Sequence, residues 1–131
     1  MKVRTFRVAV YGTLMEGERN AYWAEDALDR TPCWLSGRLY DTGWGFPAFV
    51  PDAEGGPVRA ELLTVCEETL ARMDRLEGFP RLYRRDGVTV TLDDGNRVDA
   101  MVYVMNSLPS RARALPSGDW REHRKNIKLT K

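Results

Sequence analysis

The sequence predicts an α+β domain whose sheet is mixed or mostly antiparallel and can curl into a barrel. The predicted elements follow the order strand, helix, strand, strand, helix, strand, strand. Two of the strands directly follow another strand, which argues against a purely parallel, doubly wound sheet. Residues 83–92 and 97–105 alternate apolar and polar side chains around an Asp-Asp-Gly-Asn turn, a pattern that is typical of a β-hairpin.

The strands are predicted from period-two alternation and from short apolar runs. We expect them over residues 3–11, 33–42, 58–66, 83–92 and 97–105. The stretch 43–57 is rich in Gly and Pro, so it is expected to be a loop with at most a short extended piece around residues 48–50. Residues 106–119 contain further Ser, Pro and Gly and are also expected to be a loop.

Two helices are predicted between these strands. Residues 18–29 place small and apolar side chains at helical spacing, and this region ends at Pro32. Glu67 to Glu77 forms a more compact amphipathic pattern. The helix is followed by Gly78, which suits the left-handed conformation of a helix C-terminus.

The chain of 131 residues is long enough for one domain with its own core, but too short for two. We expect this domain to span residues 1–120. Residues 121–131 contain five Lys or Arg and one Glu, and we expect them to form a basic, frayed and solvated tail in which His123 has no catalytic part. Trp120 is expected to anchor this tail to the core.

The composition excludes several function classes. With 20 Lys plus Arg and 19 Asp plus Glu the net charge is +1, so there is no general attraction to nucleic acid. One His and two Cys leave few ligands for a metal, and we expect neither a metal nor another cofactor. The apolar runs are too short for a signal peptide or a membrane span. We therefore expect a cytoplasmic protein with reduced cysteines and no membrane partner.

The first candidate functional segment is the turn formed by Tyr11, Gly12, Thr13 and Leu14. It lies between a predicted strand and a predicted helix. Such a turn can direct several backbone N–H groups into one space, where they bind an anion or an oxyanion. The alternative is an ordinary strand-to-helix turn, because turn residues are abundant in any protein.

Glu77 is the second candidate, because it lies in the last turn of the predicted second helix. The negative end of the helix dipole and nearby apolar residues would both raise the pKa of its carboxyl group, which suits a general acid or base. The alternative is a surface carboxylate paired with Arg75 or Arg81.

The remaining candidates are less specific. Tyr83 and Tyr103 could each present a hydroxyl to a cavity, or pack on the core with the hydroxyl in water. Glu61 lies in the middle of an apolar strand, and the alternation there does not show whether it is buried with a partner such as Arg59 or solvated.

These segments occur together in an order that resembles the gamma-glutamylcyclotransferase-like family, especially its short bacterial members and the gamma-glutamylamine cyclotransferases. The matching segments are VAVYGTL (8–14) followed by Asn20, GRLYDTG (37–43), FPAFVP (46–51), AELLTV (60–65), LARMDRLEGF (70–79), LYRR (82–85), AMVYV (100–104) and SGDW (117–120). They cover roughly residues 6–120, and their joint order is more specific than any one of them.

The resemblance implies a small mixed barrel with flanking helices and an enzyme of the lyase or acyltransferase class. In that reaction the α-amine of a γ-glutamyl group attacks its own γ-carbonyl, which releases 5-oxoproline and an amine or amino acid. The 11–14 loop would bind the γ-glutamyl group and Glu77 would be the acid and base. Tyr103 would line the cavity, and Tyr83 and Arg84 would support it.

The chain departs from the family pattern at two positions near the expected cavity. Met15 stands where many members have a basic residue, and Ala60 stands where many have Gly. These departures leave the identity of the substrate open. Two alternatives to an enzyme also remain: a non-catalytic domain of the same fold that binds a small amino-acid-like ligand, and an interaction module that uses the basic tail.

Overall fold

The structure, a computed structural model, describes residues 4–129 of the chain, without the side chains of residues 128 and 129. Its strands are β1 (Thr5–Val10), β2 (Asp29–Asp41), β3 (Pro47–Pro51), β4 (Gly56–Cys66), β5 (Tyr83–Leu92), β6 (Arg97–Met105) and β7 (Arg113–Ala114). Its helices are α1 (Glu67–Glu77) and α2 (Trp120–Leu129), together with a 3-10 turn at Ala21–Ala24. Residue 3, predicted to start the first strand, and residues 130–131 of the predicted tail lie outside the described part.

Five of the strands close into a barrel in the order β2-β4-β1-β6-β5. Closure comes from β2, which pairs with β5 through Cys33–Leu92 and Trp34–Thr91. β3 and β7 both pair with the end of β2, at Tyr40 and Asp41, and therefore lie on its two opposite edges. β1 and β6 are parallel, whereas the other pairs among the described strands are antiparallel. The predicted α+β fold with a mixed, mostly antiparallel barrel is confirmed.

Apolar side chains cover both faces of β1. Val8 and Val10 pack with Leu70 and Met73 of α1 in one core cluster. The residue between them, Ala9, packs on the other face with a second cluster that includes Trp120. Because both faces are buried, the end of the strand is a continuous apolar run in the sequence. β1 is therefore the central element to which the loop at residues 11–14 is attached.

The predicted helix over residues 18–29 is wrong. This region consists of turns and the single 3-10 turn Ala21–Ala24, and β2 already begins at Asp29. Leu28 donates its backbone N–H to the Thr64 carbonyl at 2.8 Å, so pairing with β4 draws the chain into an extended conformation. Tertiary pairing overrides the weak helical spacing here. The segment that follows the 11–14 loop is consequently a series of turns.

The segment expected to be a frayed tail is helical through Leu129. Trp120 is buried and anchors it, as predicted. His123 is not solvated, because its Nε2 lies 2.8 Å from Asp41 Oδ2 and its side chain is mostly covered. The assignment of residues 1–120 as the domain stays a prediction. Within residues 4–129 no helix has the length and hydrophobicity needed to cross a membrane.

Glu61 of β4 is buried and has three hydrogen-bond donors around its carboxylate. Its Oε1 accepts from Arg30 Nη1 at 2.6 Å and from the Glu16 backbone N–H at 2.8 Å. Its Oε2 accepts from Arg121 Nη1 of α2 at 3.4 Å. The suggested partner Arg59 binds Asp93 instead. Glu61 thus joins β2, β4, α2 and the turn after the 11–14 loop.

We expect Glu61→Gln to destabilise the protein by about 2–3 kcal/mol, because two guanidinium groups lose the carboxylate that compensates their charge. Asp93→Asn is the matched control. It removes the carboxylate from an exposed ion pair with Arg59, and we expect it to cost less than about 1 kcal/mol. Urea unfolding of both variants measures the difference. Equal stability of the two variants would contradict this account of Glu61.

Candidate active site

A cavity of about 210 Å³ opens at the end of the barrel where β1 and β6 finish. This volume is below the range of about 300–1,000 Å³ that is usual for drug-sized ligands, so it suits a molecule of amino-acid size. The lining residues are Ala9, Val10, Tyr11, Gly12, Thr13, Leu14, Arg19, Asn20, Phe46, Pro47, Leu76, Glu77, Leu82, Tyr83 and Tyr103. Seven of the eight residues predicted for the site are among them, and Arg84 is not.

The strand register explains why three tyrosines meet in this cavity. β1 and β6 pair in parallel with Ala9 opposite Val102, so Tyr11 and Tyr103 lie near the same end of the barrel. Tyr83 begins β5 opposite Met105, close to that end as well. Tyr11 donates its hydroxyl to the Tyr103 carbonyl at 2.7 Å. The tyrosines therefore form part of the wall that separates the cavity from the core.

The loop that follows β1 is a tight turn with free backbone donors. The Met15 N–H binds the Gly12 carbonyl at 3.0 Å, and the Asn20 N–H binds the Thr13 carbonyl at 2.9 Å. Asn20 also donates from Nδ2 to Thr13 Oγ1 at 3.0 Å. The N–H groups of Gly12, Thr13 and Leu14 donate to no acceptor within residues 4–129. Such a cluster of unused N–H donors next to a cavity is able to hold an anionic oxygen.

Gly12 is required by the close approach of the loop to β3. A β-carbon at position 12 would lie 2.6 Å from Cγ of Pro47, closer than real atoms come. Pro47 is also the residue whose carbonyl accepts the Tyr83 hydroxyl, at 3.2 Å. The absence of a side chain at position 12 thus allows the loop backbone to pack against a wall of the cavity.

Glu77 is the last residue of α1 and faces the same cavity. The helix ends there because Gly78 adopts a left-handed conformation with φ of 67° and donates its N–H back to the carbonyls of Asp74 and Arg75, as the sequence predicted. Within the described residues the Glu77 carboxylate has no hydrogen bond or ion pair, so neither Arg75 nor Arg81 neutralises it.

Burial raises the pKa of Glu77 from its ordinary value of 4.5 to about 7. Removal of a carboxylate from water destabilises its charged form, and no nearby cation offsets this effect. A group with a pKa close to neutral is present in both protonation states at neutral pH. The Glu77 carboxyl can therefore accept a proton and return it, as a general base and acid must do.

The hydroxyl groups of the tyrosines are all engaged within the protein. Tyr103 donates to Asp74 Oδ1 at 2.6 Å, and Arg85 Nε lies 3.8 Å from the same oxygen. Burial raises the pKa of Tyr11, Tyr83 and Tyr103 well above the ordinary value of 10.0. These side chains are neutral at physiological pH. Their contribution is to shape the cavity and to keep it poor in water, rather than to exchange protons.

Arg84 does not enter the site. Its side chain is exposed and its Nε binds Asp86 at 3.0 Å, on the outside of β5. Sequence reasoning did not assign cavity positions to Arg19, Phe46 and Leu82, which lie in turns and bends where no periodicity marks them. Asn20 belonged to the recognised motif, although its role in holding Thr13 was not predicted.

The fold agrees with comparisons to known proteins. The family model described as "Gamma-glutamyl cyclotransferase, AIG2-like" matches residues 8–122. Because this match covers most of the chain, the protein belongs to that family, and the resemblance seen in the sequence is confirmed. A curated relative from Halalkalibacterium halodurans, named "Putative gamma-glutamylcyclotransferase BH1612", is 38% identical over 103 residues, which are 75% of this chain and 90% of the relative.

Two solved structures have the same fold. The protein PH0828 from Pyrococcus horikoshii matches with a TM-score of 0.72 and 29% identity, over 95% of this chain and 97% of that one. YkqA from Bacillus subtilis matches with a TM-score of 0.76 and 26% identity over 96% of this chain. The match covers 43% of YkqA, so the present chain spans less than half of that longer protein.

The raised pKa of Glu77 predicts a pH-dependent stability. Between about pH 4.5 and 7 the folded protein binds the Glu77 proton more tightly than the unfolded chain, so this residue makes the fold less stable as the pH rises. We expect Glu77→Gln to be more stable than wild type at pH 8, by at most about 3 kcal/mol. This advantage should disappear near pH 4, where Glu77 is protonated in both states.

Urea unfolding at several pH values measures this difference. Glu68→Gln is the control on the same helix, because Glu68 is exposed, and it should change stability by less than about 1 kcal/mol at any pH. If wild type and Glu77→Gln are equally stable at pH 8, the Glu77 carboxylate is not desolvated and the prediction is wrong.

Proposed function

We propose that the protein is a gamma-glutamyl cyclotransferase that converts a γ-glutamyl amino acid or amine to 5-oxoproline and releases the amino acid or amine. The observation that carries this proposal is the pairing of two features in one cavity. These are the partnerless Glu77 carboxyl and the unused N–H groups of the 11–14 loop. Membership of the family supports the same reaction.

The reaction begins with removal of a proton from the substrate. The α-amine of the γ-glutamyl group is an ammonium ion in water, and it has no lone pair until a base accepts one of its protons. Ionised Glu77 would take this proton. Because the pKa of Glu77 is about 7, the carboxyl group can also give the proton back. The neutral amine nitrogen then attacks the γ-carbonyl carbon of the same glutamyl group.

The attack forms a carbon–nitrogen bond and places a negative charge on the former carbonyl oxygen. Backbone N–H groups of Gly12, Thr13 and Leu14 would hold the anionic oxygens of the substrate, namely this oxyanion and the α-carboxylate. The narrow cavity would also hold the glutamyl chain in the folded conformation that ring closure needs. Both effects lower the barrier without a protein nucleophile.

The second half of the reaction returns the proton. Protonated Glu77 would donate it to the departing nitrogen as the bond between this nitrogen and the γ-carbon breaks and the carbonyl reforms. The ring nitrogen became positively charged in the attack and still carries one surplus proton, which passes through water to the released neutral amine. The products are therefore 5-oxoproline and an ammonium ion. Glu77 finishes in its ionised form, ready for another cycle.

We expect Glu77→Gln to lower the release of 5-oxoproline by about 10²-fold or more, because the amide cannot accept the ammonium proton. The assay uses γ-glutamyl amino acids, γ-glutamyl amines and glutathione, with Glu68→Gln as a control that should retain wild-type activity. Full activity of Glu77→Gln would remove this residue from the mechanism.

No turnover of any substrate by folded wild-type protein would contradict the proposed function itself. If the same compounds then raised the melting temperature, the protein would be a binding module of this fold instead of an enzyme.

The pH dependence of kcat/KM provides a separate test of the role of Glu77. Because the base must be ionised before it acts, kcat/KM should fall about tenfold per pH unit below an apparent pKa near 7. Glu68→Gln should keep this profile. An acid limb centred near 4.5, the ordinary value for a glutamate, would contradict the desolvation of the Glu77 carboxyl.

A further inference from the structure

Arg19 brings a positive charge to the outer part of the cavity. It lines the cavity, and its side chain is exposed to solvent. The guanidinium lies beside the turn before β3, since a β-carbon at Gly45 would lie 3.0 Å from Arg19 Nη1. Arg19 is the one cation among the lining residues, and all of these fall within residues 4–129. The exposed part of the cavity lining therefore carries one positive charge.

The neighbouring acidic residue does not neutralise Arg19. Glu18 is turned away and forms two hydrogen bonds with Arg124 of α2, at 2.7 Å from Nε and 3.0 Å from Nη2. No carboxylate in the described part of the chain forms an ion pair with Arg19. A guanidinium that lines a cavity and lacks a carboxylate partner is available to an anionic ligand.

The burial of the lining residues distinguishes an inner end of the cavity from an outer end that opens to solvent. Its inner wall is formed by buried Val10, Tyr83 and Tyr103, whereas Leu82 at the outer edge is 45% exposed, as is appropriate for a mouth. The γ-glutamyl group must fold close to Glu77 and the 11–14 loop for ring closure. The departing group is then at the side where it can leave to solvent, which is the side of Arg19.

We infer that Arg19 binds a carboxylate of the departing group, so the substrates are γ-glutamyl amino acids rather than γ-glutamyl amines that lack this carboxylate. This inference rests on the proposed cyclotransferase function. A planar guanidinium can form two parallel hydrogen bonds with a carboxylate, which gives both affinity and orientation. The α-carboxylate of the glutamyl group itself has the backbone N–H groups of the loop as donors. Arg19 is a specificity-determining residue in this account.

Two substrates that differ only in the relevant carboxylate test the inference. γ-Glutamyl-alanine and γ-glutamyl-ethylamine have the same skeleton except that the second lacks the carboxylate of alanine. We expect wild type to cyclise γ-glutamyl-alanine with a kcat/KM that is about tenfold or more higher. Arg19→Gln should lose this preference, because kcat/KM falls for γ-glutamyl-alanine and stays unchanged for γ-glutamyl-ethylamine.

Arg111→Gln is the matched control. Arg111 is also exposed and packs against a glycine of the same turn, Gly43, but it does not line the cavity. This variant should keep the wild-type preference, and Arg19→Lys should restore part of it by retaining the charge. A melting-temperature measurement verifies that each variant is folded.

Three outcomes would overturn the inference, and they differ in what they say about the reaction. Equal kcat/KM of wild type for both substrates would refute the assignment of Arg19 while the cyclotransferase function stands. An equal decrease for both substrates in Arg19→Gln would place Arg19 on the glutamyl group instead. No cyclisation of either compound by wild type would refute the proposed function and the inference with it.

Discussion

The parallel pairing of β1 with β6 is the constraint on which the cavity depends. Parallel strands finish at the same end of a barrel, so Tyr11 and Tyr103 meet there. β4 is antiparallel to β1 and ends at Cys66, opposite Thr5, which is the far end of β1. The helix that follows must travel back along the strand. Its 11 residues span about 16 Å, close to the length of a six-residue strand, and this match brings Glu77 to the cavity.

Two glutamates in this fold show how the environment divides structural from chemical roles. Glu61 is buried with two arginines and a backbone N–H around its carboxylate, so its charge is compensated and it connects separate elements. Glu77 is partly buried and has neither an arginine nor a hydrogen bond within the described residues, so desolvation dominates and raises its pKa. A glutamate side chain is therefore a structural anchor where arginines surround its carboxylate. It is suited to proton transfer where no cation lies close to the carboxylate.

The sequence predicted those parts of the fold that are determined by local patterns. α1 with its Gly78 terminus and the hairpin of β5 and β6 have the predicted bounds. The helix predicted over residues 18–29 is absent because β4 pairs with the chain from Asp29 onward, and pairing between distant segments leaves no local signal. Arg84 was assigned to the cavity from the resemblance alone, and it lies next to Tyr83 on the opposite face of β5, where it binds Asp86. No local pattern in the sequence marks Arg19 as a cavity residue, because it lies in a turn.

The loop at the cavity is held by contacts from outside, which leaves its own donors free. The Glu16 N–H binds Glu61, Arg121 of α2 donates to the Glu16 carbonyl, and Arg124 of α2 binds Glu18. A loop fixed in this way does not have to use the N–H groups of residues 12–14 for its own stability, and they have no acceptor within the described residues. The contact with Arg124 also occupies the side chain of Glu18, the acidic residue next to Arg19. The C-terminal helix therefore contributes to the electrostatics of the cavity without lining it, because it binds the carboxylate next to Arg19.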